Sequence, residues 1–444
     1  MRLPPGFGYL GGCTEGRASV SGAISMHVQV ARGSIVKPQH LAVLGWVLLL
    51  FACTGSPNQD AAGAVVRDSA GVRIVENHQA TWDVPWRVSD EPSLTIGRTE
   101  GQESDELYQV TGALRLGDGA VVVANSGTLE LRLYDRDGTY VRSVGGRGGG
   151  PGEFQSLEWI SRFASDSILA LDVVGHRVSF FHSAGRFGRS VRLEPSPEIL
   201  APRPVGFFAD GSFLATHGLY VLGAELPVRS ERDEEGLFRF LADGNTVMRV
   251  GSFLGREQDI VVTPRPNGES AVERWPRLLG RATVYAAAGD RFYVADNETY
   301  EIGVYSIDPL QLALLIRKAH RHLEVTDADV RFVRDSLLAS RSGAAQRMMR
   351  RSFENRPEAP QTMPAFAPEI RVDSHRCLWV REYTRPGGRR VTWSVFSEGG
   401  VLLGAVETPI GLRILDIGSD YVLGVVRDND DVEYVQLHDL VRGN

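Results

Sequence analysis

From residue 111 onward the chain repeats one local plan, four short apolar segments separated by tight polar turns, and this repeat restricts the fold more than any other feature. The clearest unit reads TGALRL, then VVVAN after Asp118-Gly119, then LELRLYD, then TYVRSVG after the turn Arg136-Asp137-Gly138. Segments of that length joined by Gly and Asp turns form antiparallel strands in a meander. The next unit repeats the order as LEWISRF, SILALD, RVSFFH and, after Ser183-Ala184-Gly185, FGRSVRL. Its second strand begins about 48 residues later, a period at which each sheet buries its faces only against its neighbours. Sheets repeated in this way close around an axis, so the expected fold is all-β, a propeller of four-stranded antiparallel blades.

Four further units follow. The third holds PVGFFADGSFLATH and LFRFLADGNTVMRVG around an insertion at about 218–234, and the fourth runs ATVYAAAGDRFYVADNETYEIGVYSIDPLQLALLIR. The fifth holds EIRVDSHRCLWVREY, VTWSVFSEGG and VLLGAVE. The sixth holds LRILDIGSDYVLGVVRD and VEYVQLHDL and stops one strand short. An unclosed ring leaves an exposed sheet edge, so SLTIG at 93–97, which stands ahead of the first unit, is expected to finish the sixth sheet. AGVRIVEN at 70–77 is expected to add one more strand or to pack under the ring. One segment breaks the pattern. Thr326 stands as an N-cap ahead of Asp329, with Val330, Val333 and Leu337 at helical spacing, which predicts a helical insertion over about 325–355, between units four and five and over one mouth of the ring. Its arginines 331, 334, 341, 347, 350 and 351 make it the one locally basic element, read as the solvated face of a capping helix in preference to an anion site.

The connector VGGRGGGPGEF and the segment YVADNETYEIGVYS resemble those of NHL-type and related six-bladed propellers of the TolB-like superfamily, over about residues 93–438. That superfamily spans enzymes, sensors and scaffolds, so the resemblance implies a fold and no single activity. The glycines of the connector are expected to permit positive φ in a tight crossover. They lack the Lys-Ser/Thr and the following helix of a phosphate loop.

Several second strands end in a polar residue: Asn125, Asp172, His217, Asp296 and Asp428. Equivalent strand ends surround one end of a propeller axis, so these are the candidate axial ligand-binding residues. The competing role is local, since Asp and Asn at such positions cap turns by bonding backbone amides, and that role is the favoured one. A lactonase-like resemblance implies a divalent cation held by hard oxygen ligands, for which Asn125, Asp172 and Asp296 are the right types. Glu153 belongs to the connector, and Asp118 and Asp290 are turn acids. A zinc lyase needs several inward histidines, whereas His320 and His322 read as a surface pair. No catalytic residue, cofactor or metal is therefore assigned. Trp159, Trp275, Trp379 and Trp393 are read as packing between sheets before any stacking on a ligand. The leading functional expectation is a binding or scaffold module for a protein, peptide or glycan, and the alternative is a metal-dependent hydrolase, lactonase or lyase at the axis.

A net charge of −7 leaves no basic face at the level of composition and argues against nucleic acid as a partner. Of three cysteines only Cys377 lies in the folded body, within the apolar run RCLWV, so an inert buried thiol is expected and no internal disulfide. The address lies at the front. Residues 41–52, LAVLGWVLLLFA, follow Arg32 and Lys37 and run into Cys53. The stretch is shorter than the roughly 20 residues that span a bilayer, so it reads as a signal-peptide core. Leu50-Phe51-Ala52-Cys53 resembles a bacterial lipobox, which implies a signal region at 1–53, acylation of Cys53, a tether at 54–63 and the propeller at 64–444. Met26 is the expected start, leaving 1–25 untranslated, and Thr54 in place of Asp points to the outer membrane over the inner. The expected localisation is the bacterial cell envelope, with the membrane as partner through the lipid. Mass spectrometry of the N-terminal peptide is expected to find diacylglycerol on Cys53, and Cys53→Ala is expected to release the protein into the soluble fraction; an unmodified Cys53 contradicts the anchor.

Overall fold

The computed structural model describes residues 63–443 apart from 82–85, 99–105, 164–166, 195–198, 200–201, 219–228, 245–246, 265–269, 340–342, 386–387 and 429. The signal region, Cys53 and the tether lie outside the described residues.

The first repeat forms one four-stranded antiparallel sheet of Val110–Arg115, Val121–Asn125, Glu130–Tyr134 and Tyr140–Gly145. The second forms another from Trp159–Phe163, Ser167–Asp172, Arg177–Phe181 and Phe187–Arg192. Sheets of the same order follow at 203–254, 283–318, 370–409 and 413–441. Along each inner strand successive side chains point to opposite faces, and here both faces are covered. Ile168 and Ala170 pack with Val122 and Leu131 of the preceding sheet, while Leu169 and Leu171 pack with Phe213 and Phe238 of the next. This explains why VVVAN and SILALD are apolar without alternation. The fourth strands alternate or lie open, as Tyr140–Gly145 does at the rim.

The apolar contacts pass from sheet to sheet. Leu214 and Leu237 meet Phe292 and Val294, Ile302 and Val304 meet Leu378 and Phe396, and Trp379 and Trp393 meet Ile414 and Val422. Leu423 and Val435 of the last sheet then meet Val121 and Val123 of the first. A nearly all-β chain whose successive four-stranded sheets pack in sequence and return to the start is a β-propeller.

Closure follows the expectation for SLTIG. Leu94–Ile96 pairs antiparallel with the last strand, Glu433–Val441, in the register Ile96 with Val435, Thr95 with Gln436 and Leu94 with Leu437. Arg87–Val88 extends that pairing to Val441 and Leu440. The buried Glu433 carboxylate accepts the Val110 amide at 2.7 Å and the Arg427 guanidinium at 2.7 Å, while Arg413 donates to the Val110 carbonyl at 2.6 Å. Gly97 follows with φ of 113°, and a Cβ there would sit 2.8 Å from the Glu433 carbonyl, so only glycine fits the approach.

Of the two places expected for AGVRIVEN, the added strand is the one adopted. Ala64–Ser69 and Val72–Asn77 form a hairpin whose second strand lies parallel to Leu310–Lys318, widening the fourth sheet to six strands. Asn77, 1% exposed, donates to the carbonyls of Arg317 and Gly400 and accepts the Leu402 amide at 2.7 Å, which ties the fourth sheet to the fifth. Removing that side chain would orphan buried backbone groups at roughly 1–3 kcal/mol each.

The structure adds a three-stranded sheet that the repeat did not announce. Arg229–Glu231 pairs with Gln258–Pro264, which pairs with Ser270–Pro276. Two helices, α1 (Asp327–Ala339) and α2 (Gly343–Glu354), come between Leu310–Lys318 and Ile370–Val372. Thr326 and Asp329 form a reciprocal cap: Thr326 donates its amide (2.9 Å) and hydroxyl (2.6 Å) to Asp329, and the Asp329 amide donates back to Thr326 Oγ1. The chain enters and leaves the helices as a neck, with Val325 bonded to the Gln361 carbonyl and Met363 to that of Leu323. Arg385 fastens the neck by donating to Asp329 at 2.7 Å and to the Glu324 carbonyl at 3.0 Å. At the far side the Arg356 guanidinium lies over the rings of Phe353 and Trp275 and donates to the Pro276 carbonyl, which joins α2 to the extra sheet.

Burial opposes ionisation of Asp329, but the Thr326 hydrogen bonds and the Arg385 charge outweigh it and hold the carboxyl below its ordinary value of 3.8. A depressed carboxylate pKa stabilises the fold above the unfolded value and loses that contribution as pH falls through the folded one. Amide exchange in α1, measured relative to the intrinsic rate at each pH, is therefore expected to be constant from pH 7 to about 5 and to accelerate only below the normal carboxylate range. Asp329→Asn and Arg385→Ala are each expected to accelerate it at pH 7, and unchanged exchange in both contradicts the pinning.

Candidate functional site

The polar residues at the second-strand ends have their atoms engaged close to home. Asn125, fully buried, accepts the Tyr108 amide at 2.7 Å and donates to Thr128 Oγ1 at 2.9 Å. Asp172, also fully buried, accepts the amides of Gln155, Ser156 and Gly175 at 2.7–2.9 Å and pairs with Arg177 at 3.2 Å. Asp296 caps the Glu298 amide and meets Arg232 at 3.2 Å. Asp428 caps Asp430 and Val432 and accepts the Tyr434 hydroxyl at 3.0 Å. His217 pairs through its backbone with Gly236, and its side chain is outside the described residues. Among the described residues no three His, Cys, Asp or Glu side chains gather as metal ligands do.

Arg177 also explains the glycine-rich connector. Its guanidinium donates to the carbonyls of Gly148, Gly149, Gly150 and Glu153 at 2.5–3.2 Å while held by Asp172. The loop thus turns carbonyls inward around a cation, the reverse of a phosphate loop, whose amides point inward. Positive φ occurs at Gly145, Gly146 and Gly152; at Gly148 the requirement is space, since a Cβ would lie 1.9 Å from Glu153 Oε2.

Other candidates are packed or solvated. Trp379 and Trp393 are buried in the contact between the fifth and sixth sheets, Trp159 meets Phe207 edge-on, and Trp275 lies under Arg356. Burial, then the nearby Asp373 charge, pushes the Cys377 thiol up to about 11, which leaves it protonated at neutral pH. Arg331, Arg347, Arg350 and Arg351 of the helices are exposed, Arg334 pairs with Asp335, and Arg341 is outside the described residues.

The open cleft lies elsewhere. Where the strand Leu310–Lys318 ends beside the end of Leu378–Arg381, under the neck of the helices, a cavity of about 210 Å³ is lined by Lys318, His320, Arg321, Leu323, Pro364, Ala365, Glu382 and Tyr383. Glu382 Oε1 accepts three donors: Lys318 Nζ at 2.7 Å, the Tyr300 hydroxyl at 2.8 Å and Ser394 Oγ at 2.5 Å. Lys318 also donates to Ser394 Oγ at 2.8 Å and sits 4.6 Å from the Tyr300 ring centre. Burial, followed by the Glu382 charge, raises the Tyr300 phenol well above 10, so it stays a donor. All of these bonds end on Oε1, and among the described residues Oε2 has no protein donor.

His320 is the second unspent group. Its Nε2 is buried and has no hydrogen-bond partner among the described residues. Burial, then the facing His322 charge, lowers its pKa below 6.5, so the ring is neutral at pH 7. The two imidazoles meet edge-on at 4.6 Å. The sequence reading of a surface pair fits the exposed His322, while His320 is half-buried, with its Nε2 buried, and lines the cleft. Tyr383, pushed up to about 12 by burial, adds a protonated phenol to the wall. Glu382 and Lys318 are 64 residues apart, with both helices between them, and no local spacing signals their meeting.

No protein-family model matches the chain. One curated protein, RING finger protein nhl-1 of Caenorhabditis elegans, is 34% identical over 71 residues, which is 16% of this chain and 7% of that protein. The chain thus spans about 7% of the length of the relative it matches. Among solved structures, a DUF4221 family member from Bacteroides vulgatus is similar at 10% identity and TM-score 0.45, over 81% of this chain and 99% of that one. Virginiamycin B lyase from Staphylococcus aureus is similar at 10% identity and TM-score 0.37, over 80% and 99%. A gluconolactonase from Xanthomonas campestris is similar at 11% identity and TM-score 0.36, over 80% and 100%. Likeness at these levels assigns no activity, and the fold rests on the strand pairing of the chain itself.

Proposed function

We propose that this chain is a six-bladed β-propeller, with its helices inserted between blades four and five, that serves as a binding module displayed from the bacterial envelope through lipid on Cys53. Six apolar clusters, each shared by two successive sheets with the last returning to the first, support the blade count. The ligand is a group of a protein, peptide or glycan, received in the cleft at Lys318, His320 and Glu382. One observation carries this reading: the wall of the cleft holds a buried imidazole nitrogen with no protein partner among the described residues, and a carboxylate of which one oxygen already takes three bonds. A buried polar atom without a partner costs free energy in the empty protein, and a ligand hydrogen bond recovers it. At Asn125, Asp172, Asp296 and Asp428 the polar atoms already serve the backbone, so those residues are proposed to shape the loops around one mouth of the ring.

A binding screen of the purified protein against peptide and glycan arrays is expected to find ligands whose affinity falls roughly tenfold or more in Glu382→Gln, the loss of about one charge-assisted hydrogen bond. Asp428→Asn, on the same face, is expected to leave affinity unchanged. Binding indifferent to Glu382 contradicts the location, and an array with no ligand contradicts the binding role.

A further inference from the structure

Resting on the cleft just described, we propose that the group it receives is an uncharged polyhydroxylated ring, the terminal unit of a glycan. Two of the cleft's charges, those of Lys318 and Glu382, are spent on each other, and Arg321 stands at its exposed edge. Lys318 and Glu382 pair at 2.7 Å, so a ligand carboxylate approaching Lys318 meets the Glu382 charge, and a ligand ammonium approaching Glu382 meets Lys318 and Arg321. What remains is a mixed set. Among the described residues neither Glu382 Oε2 nor the buried His320 Nε2 has a protein partner, and Lys318, with three N–H bonds of which Glu382 and Ser394 take two, retains one donor. A hydroxyl both donates and accepts, and a ring bearing adjacent hydroxyls meets two acceptors and one donor without burying an unpaired charge.

Size and wall agree with the polar pattern. A cavity of about 210 Å³ corresponds to roughly seven water volumes of about 30 Å³ each, the scale of one six-membered sugar ring with its hydroxyls. Leu323, Pro364 and the Tyr383 ring supply apolar surface for the C–H face of such a ring. The strand ends on both sides hold this geometry: Ser394 is 3% exposed and Tyr300 3% exposed, so the pair beneath the ligand is preorganised by packing.

The test uses the purified protein with defined probes: methyl hexosides, N-acetylhexosamines and sorbitol, with acetate and methylammonium as ionic controls. The readout is the imidazole ¹⁵N resonance of His320, assigned by its disappearance in His320→Gln, with circular dichroism to verify that each variant folds. At least one hexose or hexosamine is expected to shift the His320 resonance, and its affinity is expected to fall about tenfold in Glu382→Gln and in His320→Gln. If acetate or methylammonium shifts His320 and no sugar does, the polyhydroxyl class is wrong and the cleft stands as a binding site. If no probe moves His320, or a sugar binds both variants as it binds the native protein, the cleft falls with the ligand class.

Discussion

Three residues near the front of the folded body, Leu94–Ile96, finish the sheet made by the end of the chain, and the rest of the architecture depends on that pairing. Without it the last strand presents a row of unpaired amides and carbonyls beside an apolar face, the arrangement that invites aggregation. With it the last sheet packs on the first, and buried Glu433 and Arg413 grip both sides of the Val110 peptide. The segment leading to the closure does further work on the rim: the hairpin at 64–77 widens the fourth sheet, Asn77 bridges to the fifth, and Trp86 packs with Trp379. A chain with one cysteine among its described residues, buried and free, relies on this closure and packing where small exported domains use disulfides.

The polar residues divide by where their bonds end. Those at the second-strand ends bond amides of the adjoining connectors, which turns each loop into a fixed part of the sheet that follows it. The Asp172–Arg177 pair goes further by drawing four carbonyls of the glycine-rich connector onto one guanidinium, so the connector's shape depends on a single buried charge pair. In the cleft the bonds end differently. Lys318, Tyr300 and Ser394 converge on one carboxylate oxygen, at the wall of the cavity under the neck. Rigid strand ends thus frame a site while the helices hang beside it, pinned by Arg385 to the Asp329 cap.

Features that repeat or that follow from local chemistry were legible in the sequence. The sheets lie where the apolar runs and Gly turns place them, and the Thr326 cap opens α1 as its spacing implies. The pairing of SLTIG was legible because a repeat that ends one strand short requires a partner. The rest depends on contacts that sequence spacing does not carry. The sheet at 229–276 escaped because two of its strands end on prolines, Pro264 and Pro276, and its strands belong to no blade period. At the fourth sheet the strand-end reading settled on Asp296, whereas the next residue, Asn297, is the fully buried one that accepts the Ala282 amide at 2.7 Å and donates to the Phe366 carbonyl. His320 read as a surface residue because Pro364, which lines the same cavity, is far from it in sequence, and Glu382 read as one charge among many.

The pairing of the two ends is tested most directly by a covalent lock. Thr95 and Gln436 are register partners on adjacent antiparallel strands, where Cα separations of about 4.5–5.5 Å suit a disulfide. The account predicts that Thr95→Cys/Gln436→Cys, oxidised as a folded monomer, forms an internal bond seen by mass spectrometry and raises Tm over the reduced form. Thiols that stay free in the folded, oxidised monomer contradict the closure and the ring built upon it.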